Sequence, residues 1–135
     1  MRGASALQQV LDENRAHSVF VQVVWEPVIL TDLGPPLTST LALIGDSRAA
    51  QYWDEERVLS AEMLRAILAD PARYGALSDL DEETIVWDFV AMFAPGVRWD
   101  ADLPVPEFHG FPVVESLDGL RAALTKLAPS DAAGL

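Results

Sequence analysis

Each of the four tryptophans is followed at once by a carboxylate: Trp25-Glu26, Trp53-Asp54, Trp87-Asp88 and Trp99-Asp100. With 21 acids in 135 residues, chance pairing gives fewer than one such dipeptide. The pairing reads either as a ligand site or as the way strands and helices end in this chain. Trp25-Glu26, closed by Pro27, ends the apolar run "SVFVQVVW". The carboxyl end of a strand borders the ligand crevice of α/β sheets. Glu26 and Asp32 then line a polar mouth with an aromatic wall; the competing reading is a packing tryptophan followed by a turn. Asp88 lies inside a second apolar run, "TIVWDFVAMF", on the strand face of Val86, Val90 and Met92. Buried there, it is an acid–base candidate; otherwise it accepts hydrogen bonds from a loop or faces solvent at an edge. Trp53-Asp54 reads as a helix start in which Tyr52 and Trp53 pack and Asp54 is the N-cap. Trp99-Asp100, with Asp102, falls in a proline-rich loop and reads as surface.

Other chemistries lack their residues. The chain has no cysteine, so it has no disulfide, thiolate nucleophile or cysteine metal site. His17 and His109 are the only histidines, and no ligand spacing accompanies them beyond a pairing of His109 with Glu107. No metal and no cofactor is implied. No Gly-x-Ser-x-Gly elbow supports a serine triad, and no glycine-rich loop after a strand could cradle a phosphate. The formal charge of −12 repels nucleic acid and anionic lipid. No apolar run reaches the roughly 20 residues of a membrane span, and the first residues do not look like a signal peptide. A cytoplasmic protein is the expectation.

The elements that must position these residues follow from periodicity. "ASALQQVLDEN" sets Leu7, Val10 and Leu11 on one helical face, with Asn14 as its stop. Residues 18–25 and 84–93 are nearly continuous apolar runs, as expected of strands covered on both faces. The loop "EPVILTDLGPPL" is broken by Pro27, Gly34, Pro35 and Pro36, yet its Val28, Ile29 and Leu30 predict that it packs down. A short helix is expected at 38–44, then a turn from Asp46 or Ser47 holding Arg48 to Tyr52. The main helix, "EERVLSAEMLRAILA", begins with Glu55 and Glu56 in its first turn and buries Leu59, Met63, Ala66 and Ile67; Pro71 ends it. After an acidic connection at 75–83 and the second strand, "FPVVE" at 111–115 reads as a short third strand. Ser116 caps a last helix with Leu117, Leu120, Leu124 and Leu127 at helical spacing. One domain, 1–128, is expected, with a frayed tail at 129–135. The architecture is mixed α/β, with a small three-stranded mixed sheet flanked by helices.

This element order resembles the thioredoxin fold from its first helix onward. "VFVQVVWEPVILTD", "QYWDEERV", "IVWDFVAMFAPGVRW" and "LPVPEF" look like a group of bacterial thioredoxin-like proteins, over roughly residues 3–127. The resemblance implies a thiol–disulfide oxidoreductase with a Cys-x-x-Cys turn at the start of the first helix. "RGASALQQVL" is similar to the body of such a helix without that turn, and Met1 stands just after where the second cysteine would be. The resemblance also implies a further strand between those at 18–25 and 84–93. Without it both strands present unpaired edges, which must pair directly, recruit a strand from another chain or leave the fold marginal. It puts the family's substrate-binding cis-proline near Glu83-Thr84-Ile85, where no proline stands, so that role is not carried to Pro112. Thr84 thereby joins Trp25, Glu26, Pro27, Asp32 and Asp88 as a candidate crevice residue.

Three functions follow. The first is a cysteine-free thioredoxin-like module that binds or assembles without catalysis, through a protein partner or self-association at its strand edges. The second is an oxidoreductase whose Cys-x-x-Cys segment lies ahead of this sequence. The third is a small acidic α/β protein of unrelated function.

Overall fold

The computed structural model describes residues 2–75 and 80–128. The tail expected to fray, 129–135, and residues 76–79 of the acidic connection lie outside this range. Helix α1 (Arg2–Glu13) turns its periodic apolar face inward, burying Val10 and Leu11. Asn14 ends it by donating from Nδ2 to the Val10 carbonyl at 2.7 Å. A short turn leads into β1 (Val21–Trp25). The long loop then reaches α2 (Thr38–Leu41) and β2 (Ala49–Trp53). Helices α3 (Val58–Ala69) and α4 (Pro71–Tyr74) follow, the second opening on Pro71, whose missing N–H costs nothing at a helix start. Strands β3 (Val90–Met92) and β4 (Phe108–Gly110) precede a single 3-10 turn at Val113–Glu115 and α5 (Leu117–Leu127).

The mixed α/β class holds, but the three-stranded sheet does not. The described strands form two separate ladders. β1 pairs β2 in parallel, with Val21 opposite Ala49 and Trp25 opposite Trp53. β3 pairs β4 antiparallel, with Val90 opposite Gly110 and Met92 opposite Phe108. The run 84–93 shrinks to three strand residues because Asp88 sits in the left-handed region at φ 50° and breaks the extended chain. Aspartate tolerates that region better than most residues. The expected strand at 111–115 becomes the 3-10 turn after a cis Phe111–Pro112 bond, and its place in the ladder is taken by Phe108–Gly110. The turn expected over Arg48 to Tyr52 is instead largely β2.

Around β3 the packing is layered, helix on sheet on helix. Val90 and Met92 meet Val10 of α1 and Leu120, Leu124 and Ala128 at the other end of the chain. The alternate residues, Phe89 and Ala91, meet Met63, Ile67 and Tyr74 of α3 and α4. That alternation is the period of two that a strand with both faces covered requires. Two glycines permit the close approach of α5. A Cβ on Gly119 would meet the Phe108 ring at 2.5 Å, and one on Gly110 would collide with Ser116.

Helix starts depart from expectation in detail. Arg57, at φ 57°, is the N-cap of α3, and Glu55 and Glu56 precede the helix. Asp54 nonetheless reaches in, its Oδ2 accepting the Leu59 N–H at 2.8 Å. Ser116 is the N-cap of α5 without a side-chain capping bond; its Oγ donates to the Pro112 carbonyl at 2.9 Å.

Candidate functional site

Parallel pairing sets the geometry at the carboxyl ends of β1 and β2. Residues opposite one another in a parallel ladder point to the same face. Trp25 and Trp53 therefore lie side by side, and the residues after them, Glu26 and Asp54, leave the ladder together. The Asp54 N–H donates to the Trp25 carbonyl at 2.8 Å, extending the ladder by one step. Tyr52 points to the other face and is half-exposed, so it does not pack as expected.

Behind the tryptophans stands Gln51. Its Oε1 accepts the Trp25 indole N–H at 3.0 Å. Its Nε2 donates to the carbonyls of Leu41 and Ile44, at 2.9 and 3.0 Å. One amide thus fixes the indole of β1 against the segment that follows α2.

Glu26 is the perturbed group here. Burial, and then the Asp54 charge beside it, raise its carboxyl from 4.5 to about 7; Arg57 opposes the shift. No hydrogen bond to the Glu26 carboxyl occurs among the described residues. A carboxyl in that range can take or release a proton at neutral pH. The site can hold a proton or a basic group.

The sign of the linkage follows from the raised pKa. The folded state binds the Glu26 proton more tightly than the unfolded chain does, so this contribution is full below pH 4.5 and is lost as pH rises through about 7. Glu26→Gln should flatten that descent and leave the protein more stable at pH 8. Partial exposure screens the effect, so the gain there should be about 1 kcal/mol. Urea melts of both proteins between pH 5 and pH 8 check it, and parallel pH profiles would remove Glu26 as the titrating group.

The other candidates are dispersed. Pro27 follows Glu26 directly and is partly buried. Asp32 Oδ2 accepts the N–H groups of Val28 and Ile29 at 2.9 and 3.0 Å, and these bonds hold its carboxyl below the usual range. Asp32 therefore closes its own turn. Of the apolar residues expected to pack down, Val28 is partly buried but Ile29 is 63% exposed and Leu30 98%, and Leu33 beyond them is 91% exposed. Thr84 is likewise local, its Oγ1 donating to Asp81 Oδ1 at 2.8 Å and accepting the Asp81 N–H at 3.2 Å.

Asp88 belongs to a different neighbourhood. Its carbonyl accepts the Val113 N–H at 3.1 Å, and its Oδ1 lies 2.5 Å from where a Cβ on Gly3 would stand. The carboxylate thus rests on the first turn of α1, where the helix dipole favours negative charge. It does not share a strand face with Val86, Val90 and Met92. The structure brings Trp25, Glu26 and Pro27 together with Asp54, Trp53 and Arg57. It brings Asp88 to Gly3 and Val113, and leaves Asp32 and Thr84 in their own turns. Among the described residues no group of three or more His, Asp or Glu is placed to hold a metal ion, and no helix is long and apolar enough to cross a membrane.

No protein-family model matches the chain, and no curated protein or solved structure matches it.

Proposed function

We propose that this chain is a cysteine-free, thioredoxin-like module that works by accepting an extended segment of a protein, a second copy of itself included, along its strand edges. The observation that carries the reading is the split sheet. β1 pairs only β2 and β3 pairs only β4 among the described strands, so each ladder keeps unpaired N–H and C=O groups on its outer edges. The strands are apolar in sequence, yet no residue of any of the four is fully buried. A strand added to such an edge gains main-chain hydrogen bonds and covers apolar side chains at once. The exposed Leu30 and Leu33 next to the carboxyl end of β1 add apolar surface to the same region. Disulfide exchange is outside the reach of this sequence, which has no thiol.

Sedimentation over a wide concentration range, with hydrogen exchange, tests the reading. The chain should associate, and the amides of Val21–Trp25 or Val90–Met92 should gain protection when it does. A monomer at every concentration with one sharp melting transition would argue against it. Insulin reduction should proceed at the rate in buffer alone; activity would refute the non-catalytic reading.

A second reading is a thiol–disulfide oxidoreductase whose Cys-x-x-Cys segment is encoded ahead of Met1. Its support is the likeness of "RGASALQQVL", which lies in helix α1, to the body of such a helix without its redox turn. The DNA upstream of the Met1 codon decides it. An in-frame strand ending in Cys-x-x-Cys supports the enzyme, and a nearby in-frame stop codon removes it.

A further inference from the structure

A cavity of about 420 Å³ opens between α4 and β4, and its described lining includes Arg73, Tyr74, Leu80, His109, Phe111 and Ser116. In a chain of net charge −12, the described lining holds an arginine and a histidine and no acid. Three residues that carry donors line it. Arg73 uses Nε on Asp70 at 2.9 Å, which leaves both Nη nitrogens without a partner among the described residues. His109 makes no hydrogen bond there either, and its ring is held by aromatic neighbours. Tyr74 stands 4.9 Å away, and Phe89 lies 6.2 Å away and 16° from parallel. Tyr74 is buried, yet its hydroxyl is not a sealed, unpaired group. Burial pushes its phenol up from 10.0, so it keeps its proton as a donor.

The remaining walls are apolar. Leu80 is partly buried, and the half-exposed Phe111 stands edge-on to Trp87 at 6.4 Å. Asp70 engages only the Nε of Arg73, so its Nη nitrogens and the His109 ring remain to meet an anion. Apolar and aromatic walls select one with a ring over a hydrated inorganic ion. We propose that this cavity binds a small monocarboxylic acid bearing one aromatic ring, its carboxylate on Arg73 and His109 and its ring between Tyr74 and Phe111. The cavity size falls in the usual range for small-molecule sites. The site is separate from Glu26 and independent of strand recruitment.

Benzoate is the probe, titrated into the ¹⁵N-labelled full chain and followed by NMR. Saturable shifts should centre on Gly110 and Phe111, with a roughly millimolar dissociation constant. Benzamide has the same ring and shape without the charge, and should bind about tenfold more weakly. Arg73→Gln should cost benzoate about tenfold as well. Arg73 is exposed, so this variant keeps the fold. His109→Gln should weaken binding in the same direction. Absence of shifts at about 10 mM benzoate, shifts centred elsewhere, equal binding of benzamide, or binding unchanged by Arg73→Gln would each overturn the proposal.

Discussion

Arg48→Met is expected to lower stability by about 3 kcal/mol and the melting temperature by about 10 °C. The reason is that Arg48 uses all five of its N–H donors. Nε and Nη2 grip the two oxygens of Asp46, at 2.9 and 2.7 Å. Nη2 also donates to the Leu11 carbonyl at 2.7 Å, and Nη1 donates to those of Asn14 and His17 at 2.9 and 3.0 Å. The guanidinium therefore caps the carboxyl end of α1 and clasps the turn into β1 to the start of β2. Its side chain is only 19% exposed and that of Asp46 only 11%. Methionine fills the space but removes the guanidinium from three carbonyls and a nearly enclosed carboxylate, leaving Leu11, Asn14 and Asp46 only backbone N–H partners, and the cost of unmade bonds exceeds the net worth of made ones. Arg48→Lys should recover only part of the loss, because an ammonium has three donors and no planar fork.

Acid denaturation gives a second reading of the same contact. The Arg48 bonds hold the Asp46 carboxyl down from 3.8 to about 2. A depressed pKa contributes stability above the unfolded value and loses it as pH falls through the folded one. Wild type should keep this contribution above pH 3.8 and lose it towards pH 2, whereas Arg48→Met, which keeps only the backbone N–H bond to Asp46, should show a much smaller step. Urea melts at pH 7 and at low pH test both claims. A variant within about 0.5 kcal/mol of wild type at pH 7 would show that the guanidinium is not the clasp.

The sequence made the helices plain and the sheet much less so, for reasons that particular residues give. Helical spacing of Val10 and Leu11, of Met63 and Ile67, and of Leu120 and Leu124 maps onto buried faces because one helix carries its own period. Strands depend on partners far along the chain. "AAQYW" looks unremarkable until it lies beside β1, and Asp46-Ser47 before it reads as the start of a turn. "TIVWDFVAMF" has strand composition throughout, but a single left-handed Asp88 confines pairing to its last residues. "FPVVE" contains Pro112, which lacks an N–H for a ladder, and the pairing falls instead on Phe108–Gly110. At the site, Glu26 was legible from its place after a strand. Its neighbours Asp54 and Arg57 were not, since only the register of β1 against β2 brings them there. Arg48 carried one faint signal, the Asp46-Ser47-Arg48 spacing, and Gln51 carried none.

Gln51→Leu is expected to cost about 3 kcal/mol and to disturb Glu26 without touching it. The substitution conserves volume and removes three hydrogen bonds at once: those to the Trp25 indole and to the carbonyls of Leu41 and Ile44. The Trp25 indole and the Ile44 carbonyl then lose the amide in partly or fully buried surroundings, while the Leu41 carbonyl keeps only the Ile44 N–H at 3.2 Å. Trp25→Phe in the wild-type background removes only the indole donor, so it should cost about 1 kcal/mol for the bond, beyond any loss of packing. In the Gln51→Leu background the bond is already gone, and Trp25→Phe should cost less; the difference measures the coupling. The site supplies a readout that a general loss of stability would not move. Burial is the main cause of the raised Glu26 pKa, and Gln51 fixes the indole of the residue just before it. Freeing the indole admits water to the carboxyl, and its titration, followed by carboxyl ¹³C shifts, should fall from about 7 towards 4.5. Stability lost with the Glu26 titration unchanged would mean that Gln51 supports the α2 segment alone. A lowered pKa together with lost stability would tie the acid at the end of β1 to the amide on β2 that holds its aromatic wall.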